Sequence, residues 1–274
     1  MITSCAVVLA RGLGSRMRAP DPGADLTVAQ ARAADAGLKA MMPVNGRPFL
    51  DYVLSALADA GVQDVALIVA PDHEALLRYY SVDAPPSRLS VDFVVQQEAV
   101  GTANAVLVAE DWVQGRAFLA MNADNLYPGP ALLGLVGLDE PGLIAFESRD
   151  LVRSGNIPPE RIKSFALVEM DGDGYLRGIV EKPGDAPAAA GGMCKEDTLI
   201  SMNCWRFDAR IFSACRDVAP SVRGELELPE AVGLAVRRGV PFRVLRATGG
   251  VLDLSKRADA AEVERRLSGI VARP

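Results

Sequence analysis

The stretch VVLARGLGSRMR, Val7 to Arg18, gathers residue types that can hold an anion. Glycines at 12 and 14 let backbone N–H groups come close, and Arg16 can add charge-assisted contacts. The spacing is neither the dinucleotide fingerprint nor the Walker loop, so the stretch alone reads equally as a basic turn. Arg11 is out of character, because such loops usually carry something small there. A second candidate, Asp124, follows an apolar run in FLAMNADNLYP, at the strand end where ligands of open α/β sheets gather.

Such residues need elements to position them. Strand-like and helix-like segments alternate through the first half, the pattern of a parallel sheet covered by helices. Cys5–Ala10, Val65–Ala70, Val91–Val95 and Ala117–Met121 read as strands. Pro48–Gly61 reads as an amphipathic helix with proline near its start and glycine at its end, and Asp72–Tyr80 and Thr102–Trp112 read as further helices. The second half is mixed. Strands are expected at Leu143–Phe146, Phe165–Met170, Leu176–Val180 and Phe242–Leu245, with a hairpin at Asp171–Gly174. Helices are expected at Phe207–Arg216, Leu228–Arg238 and Ala258–Leu267. Ala19–Gly37 has helix formers but little apolar face and reads as an exposed insertion or lid, and Pro183–Gly192 reads as a flexible connector.

With 274 residues, half of them apolar and 23% charged, the chain can bury a large core. A net charge of −6 and a pI near 5.0 argue against nucleic acid as the main partner, so any anionic ligand must meet local basic residues. The four cysteines, Cys5, Cys194, Cys204 and Cys215, lack C-x-x-C spacing, which points to a reduced, cytoplasmic protein without a disulfide framework or zinc site. No apolar stretch is long enough for a membrane span.

Five further stretches follow the glycine loop in order: LKAMMPVNGRPFLDYVLSALADAGVQDVALIV (38–69), QQEAVGTANAV (96–106), NADN (122–125), VEKP (180–183) and GELELPEAV (224–232). Together they resemble the sugar-1-phosphate nucleotidyltransferase family. The resemblance implies a Rossmann-like, GT-A-like mixed and mostly parallel sheet flanked by helices. It implies a single domain over residues 1–274, with a nucleotide-binding half to about residue 125 and a smaller sugar-binding half after it. The implied reaction joins a nucleoside triphosphate to a sugar 1-phosphate with Mg²⁺, releasing pyrophosphate.

Carried onto this sequence, the family's phosphate loop is Ala10, Gly12, Gly14 and Ser15, with Arg16 and Lys39 on the triphosphate. Gln96 and Gly101 match the nucleobase-reading stretch, with Gln97 and Thr102 beside them. Asp124 matches one metal ligand. Asp253 matches a second more loosely, since Val251, Ser255 and Arg257 replace the usual tryptophan, glycine and proline. Glu181 and Lys182 match the residues that bind sugar hydroxyls and the sugar's phosphate. Ser201 and Asn203 stand near the family's sugar-contact positions, and Ala166 replaces a glycine that touches the sugar, so the sugar pocket is expected to be altered. Glu225 is either a sugar contact or a helix-start residue. His73, the only histidine, matches no motif and reads as structural or solvent-exposed.

Three alternatives stay open. One is a cytidylyltransferase for phosphocholine or another non-sugar phosphate, which LGSRMR fits nearly as well. Another is a non-catalytic regulatory homologue, which has no need of the whole charged set. A glycosyltransferase is disfavoured because NADN carries only one carboxylate. The base, the sugar and the oligomeric state are not specified by the sequence.

Overall fold

The computed structural model describes residues 3–12, 14–180 and 197–274. Strand β1 (Cys5–Leu9) is apolar on both faces because helices cover both sides of it. It lies between two parallel neighbours, β2 (Asp64–Val69) and β4 (Phe118–Asn122), and β3 (Ser90–Val95) adds in parallel outside β2. The C-terminal ends of four strands therefore face one way, and the loops that leave them form a common edge.

Five more strands complete a nine-stranded sheet: β5 (Gly142–Glu147), β6 (Ala166–Met170), β7 (Leu176–Val180), β8 (Leu199–Phe207) and β9 (Arg243–Ala247). β8 runs antiparallel to β4, β5 and β6, so the sheet is mixed beyond β4. One edge of β8 serves two partners in succession. Cys204–Phe207 pair with β4, and Ile200–Ser201 pair with β6. Between them the register shifts and Asn203 takes φ 58°, while Tyr127 donates its hydroxyl proton to the Met202 carbonyl at 2.6 Å. The side chain that fills this junction also fixes the chain just after Asp124.

The two sheet faces bury alternate residues. Ala6 and Val8 pack with helix α1 (Phe49–Asp59), whose Phe49, Leu50, Val53, Leu54 and Leu57 are fully buried. At about 1.5–3 kcal/mol for each large side chain, that one stripe accounts for the helix's attachment. Cys5 and Val7 face Ala103 and Val106 of α2 (Thr102–Leu107) together with Phe212 and Val232.

Several elements depart from the sequence reading for local reasons. Phe207 ends β8 as a buried aromatic, and the following helix starts only at Arg210, after Asp208 accepts its N–H. Thr102–Trp112 breaks after Leu107 into α2 and one turn at Glu110–Val113. Asp72–Tyr80 begins at Glu74 and widens into a π turn over Tyr79–Asp83. Ala19–Gly37 is mostly exposed, as expected, but is anchored at several points. It holds a capping-box helix, Val28–Asp35, whose Gln30 donates to the Pro43 carbonyl, while Arg257 donates to Met17, Arg18 and Ala19 carbonyls and pairs with Asp35. The connector expected at Pro183–Gly192 lies outside the described residues.

Candidate active site

A cavity of about 310 Å³ opens at the C-terminal ends of β1 to β4, where a Rossmann-like sheet binds its ligands. From β1 come Ala10, Arg11 and Gly12, then Gly14, Ser15 and Arg16. Gly14 sits at φ 65°, and a Cβ there would fall 2.4 Å from the Gly37 carbonyl oxygen, so the loop and the end of the insertion meet where only glycine fits. Arg16 is exposed and has no hydrogen bond or ion pair with any described residue. A guanidinium left unpaired in a cavity wall is available to an anionic ligand.

In the same cavity wall, Lys39 Nζ lies 3.0 Å from Asp124 Oδ2, the two side chains 15% and 21% exposed. Asp124 follows β4, and Lys39 follows the anchored insertion, so residues 85 apart meet across the cavity mouth. At the other end, the strand β3 delivers Gln96, which is nearly buried. Its Nε2 donates to the Gly101 carbonyl at 3.1 Å and to Asn104 Oδ1 at 2.9 Å. Since Nε2 is fixed toward a carbonyl, Oε1 is the face left for a ligand. Gly101 has φ 129°, and a Cβ there would lie 2.4 Å from the Leu226 carbonyl oxygen. Thr102 lines the cavity too, but its Oγ1 already accepts from the Leu228 N–H at 2.9 Å.

Asp253 is placed differently. Its strand pair with Asn125 brings it next to the Asp124 loop, yet it does not line the cavity and is 2% exposed. Asn125 Nδ2 and Ser255 Oγ both donate to its Oδ1 at 2.9 Å, and Arg161 pairs with its Oδ2. Arg161 also pairs with Asp259 at 2.8 Å. The residues therefore do not fit the expected pair of aspartate ligands. Asp124 has an oxygen free for a hard cation that keeps phosphate oxygens and waters as its other ligands, whereas Asp253 is enclosed. Among the described residues no group of three or more His, Cys, Asp or Glu forms a cation cluster.

The expected sugar contacts divide. Ser201 and Ala166 are register partners across β8 and β6, and the Asn203 N–H donates to Ser201 Oγ at 3.3 Å, but none of the three lines this cavity. Glu225 does line it. Glu181 and Lys182 lie outside the described residues. His73, read from the sequence as structural or solvent-exposed, is half-buried after β2 and lines this cavity. Burial lowers its pKa below the usual imidazole value, with Asp72 acting to raise it and Arg11 to lower it. Its position after the second parallel strand was the one available signal.

A parallel sheet whose strand ends hold a glycine loop, an unpaired arginine, a lysine–aspartate pair and a fixed amide defines a nucleotide-handling α/β protein. Comparison with known proteins narrows this. A sequence model of the family described as nucleotidyl transferase matches residues 5–249. The UTP–glucose-1-phosphate uridylyltransferase of Haloferax volcanii is 28% identical over 266 residues, covering 96% of each chain. A glucose-1-phosphate thymidylyltransferase of Streptomyces antibioticus is 30% identical over 271 residues, and the chain spans 65% of that longer protein. A solved UDP-glucose pyrophosphorylase complexed with UDP-glucose shares the fold, with a TM-score of 0.76 over 98% of this chain and 99% of its own at 16% identity.

The chain belongs to the nucleotidyl transferase family and is an enzyme of its sugar-1-phosphate nucleotidyltransferase branch. Enzymes of this type generally use a divalent metal. No helix among the described residues is long and apolar enough to cross a membrane.

Proposed function

We propose that the chain transfers a nucleotidyl group from a nucleoside triphosphate, of the UTP or TTP kind used by its named relatives, to a hexose 1-phosphate. The observation that carries this reading is the placement of unpaired Arg16, the Lys39–Asp124 pair and the open Oε1 of Gln96 around one cavity. A sugar-phosphate oxygen attacks the α-phosphorus in line. The new P–O bond forms as the bond to the bridging oxygen breaks, and pyrophosphate leaves with that electron pair. The nucleophile is already ionised near neutral pH, so no general base is needed.

Arg16 and Lys39 neutralise the triphosphate, the latter by leaving Asp124 for phosphate oxygen. Mg²⁺ would be held by Asp124 and would supply further neutralisation of the phosphates. Asp253 orients the Asp124 loop through Asn125, and Lys182 positions the sugar phosphate. The three described cysteines are unpaired, which fits a reducing, cytoplasmic setting. The test is pyrophosphate release with Mg²⁺ from a panel crossing UTP, TTP, GTP, CTP and ATP with several sugar 1-phosphates and phosphocholine. Turnover of UTP or TTP with a hexose 1-phosphate is expected. Turnover of CTP with phosphocholine alone would overturn the sugar assignment.

A further inference from the structure

Arg11 answers the question its position raises. Its Nε donates to the Gln96 carbonyl at 2.8 Å, and its Nη2 donates to the Gln97 carbonyl at 3.0 Å. It leaves the chain at the end of β1 and lands at the end of β3, and β2 lies between those strands. At a strand spacing of about 4.8 Å, the gap to be bridged is about 10 Å, which a small residue cannot span and an extended arginine can.

The consequence falls on Gln96. Its N–H donates to the Val69 carbonyl at 2.9 Å, its carbonyl accepts from Arg11, and both protons of its amide are taken by Gly101 and Asn104. Only Oε1 lacks a partner among the described residues. Of these restraints, Arg11 alone comes from the phosphate loop. It therefore fixes the separation between the cavity's phosphate end and its nucleoside end.

We propose that Arg11 is a positioning residue for the nucleoside, a strut that holds the Gln96–Gln97 backbone at a set distance from the phosphate loop. This rests on the reading that the cavity takes a nucleoside triphosphate. The guanidinium protons not used in the strut have no partner among the described residues, so direct contact with phosphate is the rival role.

Calorimetric titration of the full chain with UTP, TTP, GTP, CTP, ATP and inorganic tripolyphosphate separates the two, with thermal unfolding run on every variant. Arg11→Ala should weaken binding of the preferred nucleotide by about tenfold, the order expected for losing a charge-assisted bridge at a partly exposed site. Tripolyphosphate affinity should stay within about twofold, since it uses only the loop. Arg11→Lys should recover little, because a single ammonium does not reproduce a two-pronged fork. In the Gln96→Ala background, Arg11→Ala should cost almost nothing further, since both act through one group. Equal losses for nucleotide and tripolyphosphate would overturn the proposal in favour of phosphate contact, and unchanged nucleotide affinity would overturn it outright. If the wild-type chain binds none of the five nucleotides, the reading of the cavity fails and this proposal with it.

Discussion

The two ends of the cavity are built on different terms. At the end proposed for the nucleoside, Gln96 is held by β2, Arg11, Gly101 and Asn104, and Gly101 is pressed against Leu226. At the end proposed for the phosphates, Arg16 has no described partner, and Lys39 and Asp124 have each other at a partly exposed site. A neutral base is recognised by a few hydrogen bonds whose directions matter, so its reader profits from being fixed in advance. Phosphates bring charge that dominates at any orientation, and groups that meet them can remain loosely committed until the ligand arrives. The same contrast separates the two aspartates. Asp124 is open and under-partnered, while Asp253, beside it through the Asn125 pairing, has both oxygens occupied.

The largest effect expected from this contrast is at Asp124. Asp124→Asn should cut Mg²⁺-dependent pyrophosphate release by about a thousandfold, the scale of losing one group that stabilises transferring charge, with little change in melting temperature. Asp253→Asn should show the reverse signature. Breaking a buried ion pair costs about 3 kcal/mol, reduced where Arg161 keeps Asp259, so thermal unfolding should shift down clearly while turnover well below the melting point falls less than about tenfold. If instead Asp253→Asn stops pyrophosphate release with the melting temperature intact, Asp253 exchanges Arg161 for a cation during the reaction and the contrast collapses.

Strands β1, β2 and β4 are legible because they are buried and largely apolar, and the half-exposed β3 only through its Phe93–Val95 run. The glycine loop with Arg16 and the strand-end Asp124 are legible from residue types, whereas Lys39, Gln96 and Gly101 are legible only through the resemblance of the stretches that hold them. What was not legible depended on a distant partner. Asp253 sits in a looser motif than Asp124, but its enclosure by Arg161, Asn125 and Ser255 is not written there, since Arg161 lies in a stretch without a motif. The insertion reads as an exposed lid without visible anchors because Arg257 and Glu264, which hold it, lie more than 200 residues along the chain. Arg11 could be marked as unusual but its use could not be read, since its acceptors are backbone carbonyls 85 and 86 residues away. Phe207 was assigned to a helix because its apolar spacing continues into Ile211 and Phe212, although its backbone pairs with Phe118.

The smallest effect, and the most local probe of the end proposed for the nucleoside, is at His73. As the only histidine, it gives a single imidazole signal to follow by nuclear magnetic resonance. Burial, with a contribution from Arg11, holds its pKa below 6.5, so in the free protein it is neutral at pH 7. The unfolded chain then binds more protons than the native one as the pH falls below 6.5, so stability is full above that value and declines as the pH drops through the folded pKa. His73→Gln should flatten that decline without affecting the rest of the acid unfolding curve. Arg11→Ala should move the imidazole pKa upward, because a positive neighbour is removed while Asp72 remains. A bound triphosphate should raise it as well by bringing negative charge into the same corner. An imidazole pKa unmoved by both would mean that Arg11 and His73 do not share the nucleoside end, and the fixed end would then reduce to Gln96 and its two side-chain amide bonds.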